Sequence, residues 1–169
     1  VKMNLMFKKI CLLFLFSFFI LPSQADAGYE YSLKWGSSGS GNGQFNRPTS
    51  IAIDSLGNVY IGESEGDRIQ KFDSSGNYIT KWGSSGSGNS QFGVIRGMVF
   101  DQAGDLYVVD EGNNKVKKFS SSGVYISQFG SSGSGNGQFT TPRGIAIDSA
   151  GNIYVGDDSL KRVQKFDSN

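Results

Sequence analysis

Three acidic positions, Glu63, Asp110 and Asp157, stand 47 residues apart, and each is followed within two residues by another carboxylate, Glu65, Glu111 or Asp158. Clustered carboxylates hold hard cations such as calcium, so metal binding is the first chemistry this series suggests. Its regularity argues the other way. A group needed once for chemistry need not recur, whereas one that holds a loop shut must, and Asp110 with Lys115 or Asp157 with Arg162 could do that. Arg96 and Arg143 recur at the same spacing, with Thr49 in the same phase. Guanidinium forks so placed could clamp a carboxylate or phosphate in bidentate fashion. Thr49, Arg96, Arg143, Glu63, Asp110 and Asp157 are therefore the candidate ligand-binding set, with internal structural pairing as the competing role for each.

Other chemistries lack their residues. The sequence contains no histidine and one cysteine, Cys11, so a Ser-His-Asp arrangement or a histidine-bound zinc cannot be built. Asp54, Asp101 and Asp148 each precede a glycine by three positions and read as turn caps. Lys71, Lys118 and Lys165 read as a solvated strand face. The segment Gly36 to Gln44 is glycine-rich but lacks the Gly-Lys-Ser/Thr ending of a phosphate loop. Phe45, Phe92 and Phe139, which close its three copies, are expected as plugs between structural units. No catalytic residue and no cofactor is expected.

Residues 1–27 differ in kind from the rest. Lys2, Lys8 and Lys9 form a basic head, Ile10 to Leu21 is an apolar run, Pro22 breaks it, and Ala25-Asp26-Ala27 offers small residues for cleavage. This reads as a secretory signal, with an uncleaved anchor as the alternative. Cleavage after Ala27 predicts a secreted or periplasmic protein with no membrane span. Cys11 lies too early in the run for a lipoprotein and is lost with it, leaving no disulfide. The remaining chain has 13 basic and 14 acidic side chains, once Lys2, Lys8, Lys9 and Asp26 are set aside. That balance gives no general attraction to nucleic acid.

The elements that must position the candidates follow the same beat. Lys34 to Phe45 recurs as Lys81 to Phe92 and as Gln128 to Phe139. Between these marks lie runs of strand character, such as Ser50 to Asp54, Asn58 to Gly62, Arg68 to Phe72 and Tyr78 to Trp82, joined by turns at Gly57 and Gly76. A four-stranded unit with two apolar faces cannot bury both alone, and radial stacking solves this. The sequence predicts an all-β fold, a β-propeller of four-stranded antiparallel blades: repeat 1 over 48–82, repeat 2 over 95–129 and repeat 3 over 142–166. The first strand of each should be innermost. Residues 31–35 are expected to form an additional outer strand.

Pro142-Arg143-Gly144-Ile145-Ala146-Ile147-Asp148, Gly151-Asn152-Ile153-Tyr154-Val155-Gly156-Asp157 and Arg162-Val163-Gln164-Lys165-Phe166 resemble the NHL repeat family. The first repeat departs with Ser50 and Glu63, the second with Ile95. The resemblance implies a propeller, commonly six-bladed, used mostly as a binding platform. It also implies alternatives: a calcium-dependent lactonase-like hydrolase, or a nucleic-acid-binding propeller like some intracellular members. The reading favoured here is a secreted, non-catalytic binding or scaffold module for a protein, peptide or glycan. Residues 28–169 comprise three repeat periods and one further residue. Two expectations follow: a homodimer completing a six-bladed ring, or a fragment whose other blades lie elsewhere.

Overall fold

The computed structural model describes residues 28–167. The expected signal and Cys11 lie outside the described residues. The chain separates into two units, Val1–Ser32 and Leu33–Asn169. In the first, the described residues form neither helix nor strand. Among the described residues no helix is long and apolar enough to cross a membrane.

The second unit is almost wholly β. Short parallel strands β1 (Ser37–Ser38) and β2 (Gln44–Phe45) close the first glycine-rich loop. The first blade follows as β3 (Pro48–Ile53), β4 (Val59–Glu63), β5 (Arg68–Phe72) and β6 (Tyr78–Trp82). The second blade comprises β7 (Ile95–Phe100), β8 (Leu106–Asp110), β9 (Lys115–Phe119) and β10 (Tyr125–Phe129). Strands β11 (Ser131–Ser132) and β12 (Gln138–Phe139) close the third loop, and the third blade holds β13 (Pro142–Ile147), β14 (Ile153–Asp157) and β15 (Arg162–Phe166). Each blade is an antiparallel meander, four-stranded in the first two and three-stranded in the third. Residues 31–35 are not a strand. A strand persists through a ladder of hydrogen bonds, and within one chain no neighbouring strand among the described residues supplies one there.

The turns form as their residues dictate. Asp54 Oδ1 accepts the N–H groups of Leu56 and Asn58 at 3.0 and 2.9 Å, while Oδ2 accepts Asn58 Nδ2 at 2.9 Å and the Tyr60 hydroxyl at 3.0 Å. Gly57 completes the turn at φ +82°, a backbone state open to glycine without strain. Asp148 repeats the arrangement with Ala150, Asn152 and Tyr154. Of the lysines of the third strands, Lys165 is solvated, with its side chain 48 % exposed, whereas Lys71 and Lys118 are not, at 14 and 20 %. Lys71, Lys118 and Lys165 place their Nζ atoms 4.9, 5.0 and 6.0 Å from the ring centroids of Tyr60, Tyr107 and Tyr154. Lys118 also bridges Asp101 and Asp105 at 3.1 and 2.9 Å. Alternation alone made these positions read as wet; the neighbouring tyrosine gives them a cation–π seat.

Two cores lie between blades, and a third, Val59, Ile61 and Phe72, is covered on the outer side of the first blade by Trp35, Phe45 and Tyr78. The inner strand β7 packs against both β3 and β13. Tyr60 and Ile69 of the first blade bury against Phe92, Ile95, Leu106 and Phe119. Val109 and Val116 of the second bury against Phe139, Ile153 and Val155. Each fully buried aliphatic or aromatic side chain contributes about 1.5–3 kcal/mol over exposure. The β9–β10 turn also fixes the distance between neighbours. Gly123 sits so close to Trp82 of the preceding blade that a Cβ would fall 2.6 Å from the indole.

Candidate functional site on the loop face

The loops leading into each first strand share one face with the loops joining second and third strands, and all six candidate residues lie there. Their roles diverge. Glu63, Asp110 and Asp157 are 0, 0 and 2 % exposed. Glu63 accepts the Asn46 N–H at 2.7 Å, Arg68 Nε at 2.7 Å and Gln70 Nε2 at 2.8 Å. Asp110 accepts the Gly93 N–H at 2.9 Å and Asn113 Nδ2 at 2.7 Å, and pairs with Lys117 Nζ at 2.9 Å. Asp157 accepts the N–H groups of Thr140 and Thr141 at 2.8 and 3.0 Å. Burial pushes its pKa up, but those bonds, that of the Leu160 N–H and the nearby Arg162 charge outweigh burial and hold it below its ordinary value.

These three carboxylates are thereby corrected from ligand candidates to clamps. Each ties the end of a glycine-rich loop to its own blade, so its oxygens face backbone donors rather than solvent. The expected Asp110–Lys115 pair is also corrected: the partner is Lys117, two residues on, whose Nζ is drawn beneath the loop. Asp157 does not reach Arg162 either, being one methylene shorter than Glu63. Arg162 Nε is left buried without a hydrogen-bond partner. Among the described residues no three acidic side chains converge to hold a metal ion.

The glycine-rich loops close on themselves. The Gln44 side chain accepts the Gly41 N–H at 3.0 Å, and Gln91 and Gln138 accept those of Gly88 and Gly135 at 3.0 and 2.9 Å. Phe92 and Phe139 are fully buried and Phe45 is half-buried, seated 5.6, 5.8 and 5.6 Å from Phe119, Phe166 and Phe72 respectively. They are plugs, as their position after the loop suggested.

Thr49 joins blades rather than facing a ligand: its hydroxyl donates to the Ile95 carbonyl at 2.8 Å. Arg96 and Arg143 remain on the surface and converge on one carboxylate. Glu111 receives Arg96 Nε at 2.7 Å and Arg143 Nε at 3.2 Å. Arg143 reaches on to Asp158 at 2.9 Å, and Asp158 to Lys161 at 3.2 Å. The result is a ribbon of alternating charge across two blades, with Arg143 half exposed at 52 %. Burial raises the Glu111 pKa, yet hydrogen bonds and charge from Arg96, then Arg143, lower it overall. Glu111 is thus an anion at neutral pH, suited to orienting guanidinium groups and not to donating protons. Glu111 and Asp158, which the sequence showed beside the acidic series, complete a network with the two arginines.

The 6-bladed beta-propeller family matches residues 94–169, and the NHL repeat matches residues 45–72. No curated protein matches the sequence. Among solved structures, a streptogramin B lyase is 18 % identical with a TM-score of 0.51, over 74 % of this chain and 42 % of that one. Virginiamycin B lyase from Staphylococcus aureus is 16 % identical at a TM-score of 0.51, over 73 and 42 %. Hydrazine synthase from Kuenenia stuttgartiensis is 17 % identical at a TM-score of 0.54, over 71 and 34 %. The chain spans less than half the length of each, and at these identities the likeness is one of fold. Blades with inner strands side by side, plugs between them and the repeat motifs agree with these matches: the chain is built as a β-propeller, with an NHL repeat at residues 45–72 and a six-bladed-propeller match over 94–169.

Proposed function

We propose that this protein is an extracytoplasmic, non-catalytic propeller that binds a protein, peptide or glycan on its loop face, with Arg143 as the principal contact and Arg96 and Glu111 orienting it. The observation carrying this reading is the ribbon Arg96–Glu111–Arg143–Asp158. It is the charged network left at the surface once the repeated carboxylates are spent on loop closure, and its half-exposed guanidinium retains donors for a carboxylate or hydroxyl-rich ligand. The secretory reading of residues 1–27 supplies the compartment.

An enzymatic reading would draw on the lyases that share the fold. A further virginiamycin B lyase structure is of a catalytically inactive histidine-to-alanine form, with quinupristin. The present 169 residues contain no histidine, so a histidine-dependent reaction has no residue here to carry it. The binding reading is tested on glycan and peptide arrays probed with the purified protein. Retained signal for one ligand class, lost at least tenfold in Arg143→Ala and reduced less in Arg96→Ala, is expected. Equal signal from wild type and Arg143→Ala would displace the site from this ribbon.

A further inference from the structure

The third blade presents one side to nothing among the described residues. On the outer side of the first, Val59, Ile61 and Phe72 are buried with Trp35 and Phe45, but Ile51 and Ile53 of the inner strand stay open. These two sides are the two halves of a junction the molecule already makes. Where the first blade meets the second, Ile69 is 0 % exposed. Gly62 there lies under the neighbour so closely that a Cβ would stand 2.7 Å from Ile95 Cγ2 and 3.2 Å from Met98 Sδ. The third blade repeats this surface with Val163 and Gly156, and Val163 is 69 % exposed.

The glycines of that face are the sharper sign. Gly97, between the second and third blades, would place a Cβ 2.5 Å from the Arg143 carbonyl. Its counterpart Gly144 meets nothing within 4 Å, and Gly156 meets only the Gly144 carbonyl at 4.0 Å. Neither has a positive φ. Backbone geometry does not require glycine at either place, and no neighbour among the described residues does. Both border a groove of ≈ 450 Å³ lined also by Arg143, Lys161 and Val163. On the far side of the molecule, Ile51 and Ile53 are each 60 % exposed. Their counterparts Met98 and Phe100 pack into the first junction, and Ile145 and Ile147 into the second.

We infer that a second copy of this chain seats its first blade on this third blade, while its own third blade receives the first blade here. Each open face is, by the 47-residue equivalence, the partner of the other. Pro48 and Ile51 of the second copy take the places that Ile95 and Met98 hold over Gly62. Two copies related by a two-fold axis satisfy both faces at once and close a ring of six blades, the number described for the family matched. Arg143 borders this groove and also belongs to the proposed binding ribbon, but the dimer is read by cross-linking and native mass with no ligand present.

Because Gly62 and Met98 touch, the equivalent pair across the new junction is Gly156 and Ile51. The full chain carrying Cys11→Ser, Ile51→Cys and Gly156→Cys is compared with each single-cysteine form by non-reducing electrophoresis, and its native mass is measured by light scattering. A covalent dimer in the double variant alone, with a native mass twice the 18.2 kDa of one chain, is expected. Gly156→Trp should halve that mass while leaving the strand signal in circular dichroism unchanged, since the added side chain enters open space. A native mass of one chain for the unmodified protein, absence of the cross-link, or a ladder of longer cross-linked species would each overturn the closed pair.

Discussion

The first and second blades face the same task beneath their glycine-rich loops and perform it with different chemistry. In the first, Gln70 accepts the Gly43 N–H at 3.0 Å and donates to the Gln44 carbonyl at 2.7 Å and to Glu63. In the second, Lys117 occupies that place at 0 % exposure, donating to the Gly88 carbonyl at 3.0 Å, to that of Gln91 and to Asp110. An ammonium has no acceptor, so it cannot receive the backbone N–H that Gln70 holds. The loop adjusts accordingly. Gly43 and Gly137, which donate to Gln70 and Gln164, lie at φ +74° and +72°, whereas their counterpart Ser90 is not at positive φ. One buried side chain therefore decides whether the loop above it needs glycine. Residues that look freely variable in a surface loop are tied to a core residue 27 positions away.

That comparison can be broken most forcefully at Lys117. Lys117→Ala leaves Asp110 buried without its cation and should cost about 3–5 kcal/mol in urea unfolding. Gln70→Ala removes hydrogen bonds but leaves Glu63 its Arg68 cation, and should cost about 1–3 kcal/mol; equal costs would erase the distinction. A gentler variation exchanges the two chemistries. Lys117→Gln should be destabilising alone and partly rescued by Ser90→Gly, with a coupling of about 1 kcal/mol in a double-mutant cycle. Additive effects would show that the loop does not follow the residue beneath it.

The third blade sharpens the comparison by addition. Arg162 Nε lacks the partner that Glu63 gives Arg68, so Asp157→Glu should stabilise by about 1 kcal/mol, read as a raised denaturation midpoint. The smallest effect is expected in acid. Hydrogen bonds from the Asn152 side chain and N–H, with those of Tyr154 and the Ala150 N–H, hold Asp148 at about 2. A carboxyl depressed on folding stabilises above its unfolded pKa, and that contribution fades as pH falls from about 4 to about 2. Wild type should lose more urea resistance across that window than Asp148→Asn, which has no carboxyl to titrate at this turn.

Much of the fold was legible because its information is local and thrice repeated. Alternation placed the strands, and Asp54-Ser55-Leu56-Gly57 announced its own turn. The failures fall where meaning depends on a distant partner. Residues 31–35 carry strand-like text, yet a strand is a property of two segments. Asp110 has Lys115 opposite it in the ladder, and only the depth of the loop reveals that Lys117 reaches it first. The face was legible at Arg96 and Arg143, which recur in phase. Their pairing with Glu111 and Asp158 needed the folded molecule: Arg96–Glu111 and Arg143–Asp158 form within a blade, and Arg143–Glu111 crosses between two.

The hydrogen bond from the Gly43 N–H to Gln70 also bears on how the molecule ages. Asn42-Gly43 and Asn136-Gly137 are the kind of dipeptide in which the glycine nitrogen attacks the preceding amide carbonyl, closing a succinimide and shedding ammonia. In both, that nitrogen is already engaged by a glutamine side chain of the third strand, Gln70 or Gln164. The third loop-closing asparagine, Asn89, precedes a serine whose side chain hinders the same cyclisation. The polar groups that shape these loops thus also protect them from spontaneous chemical damage.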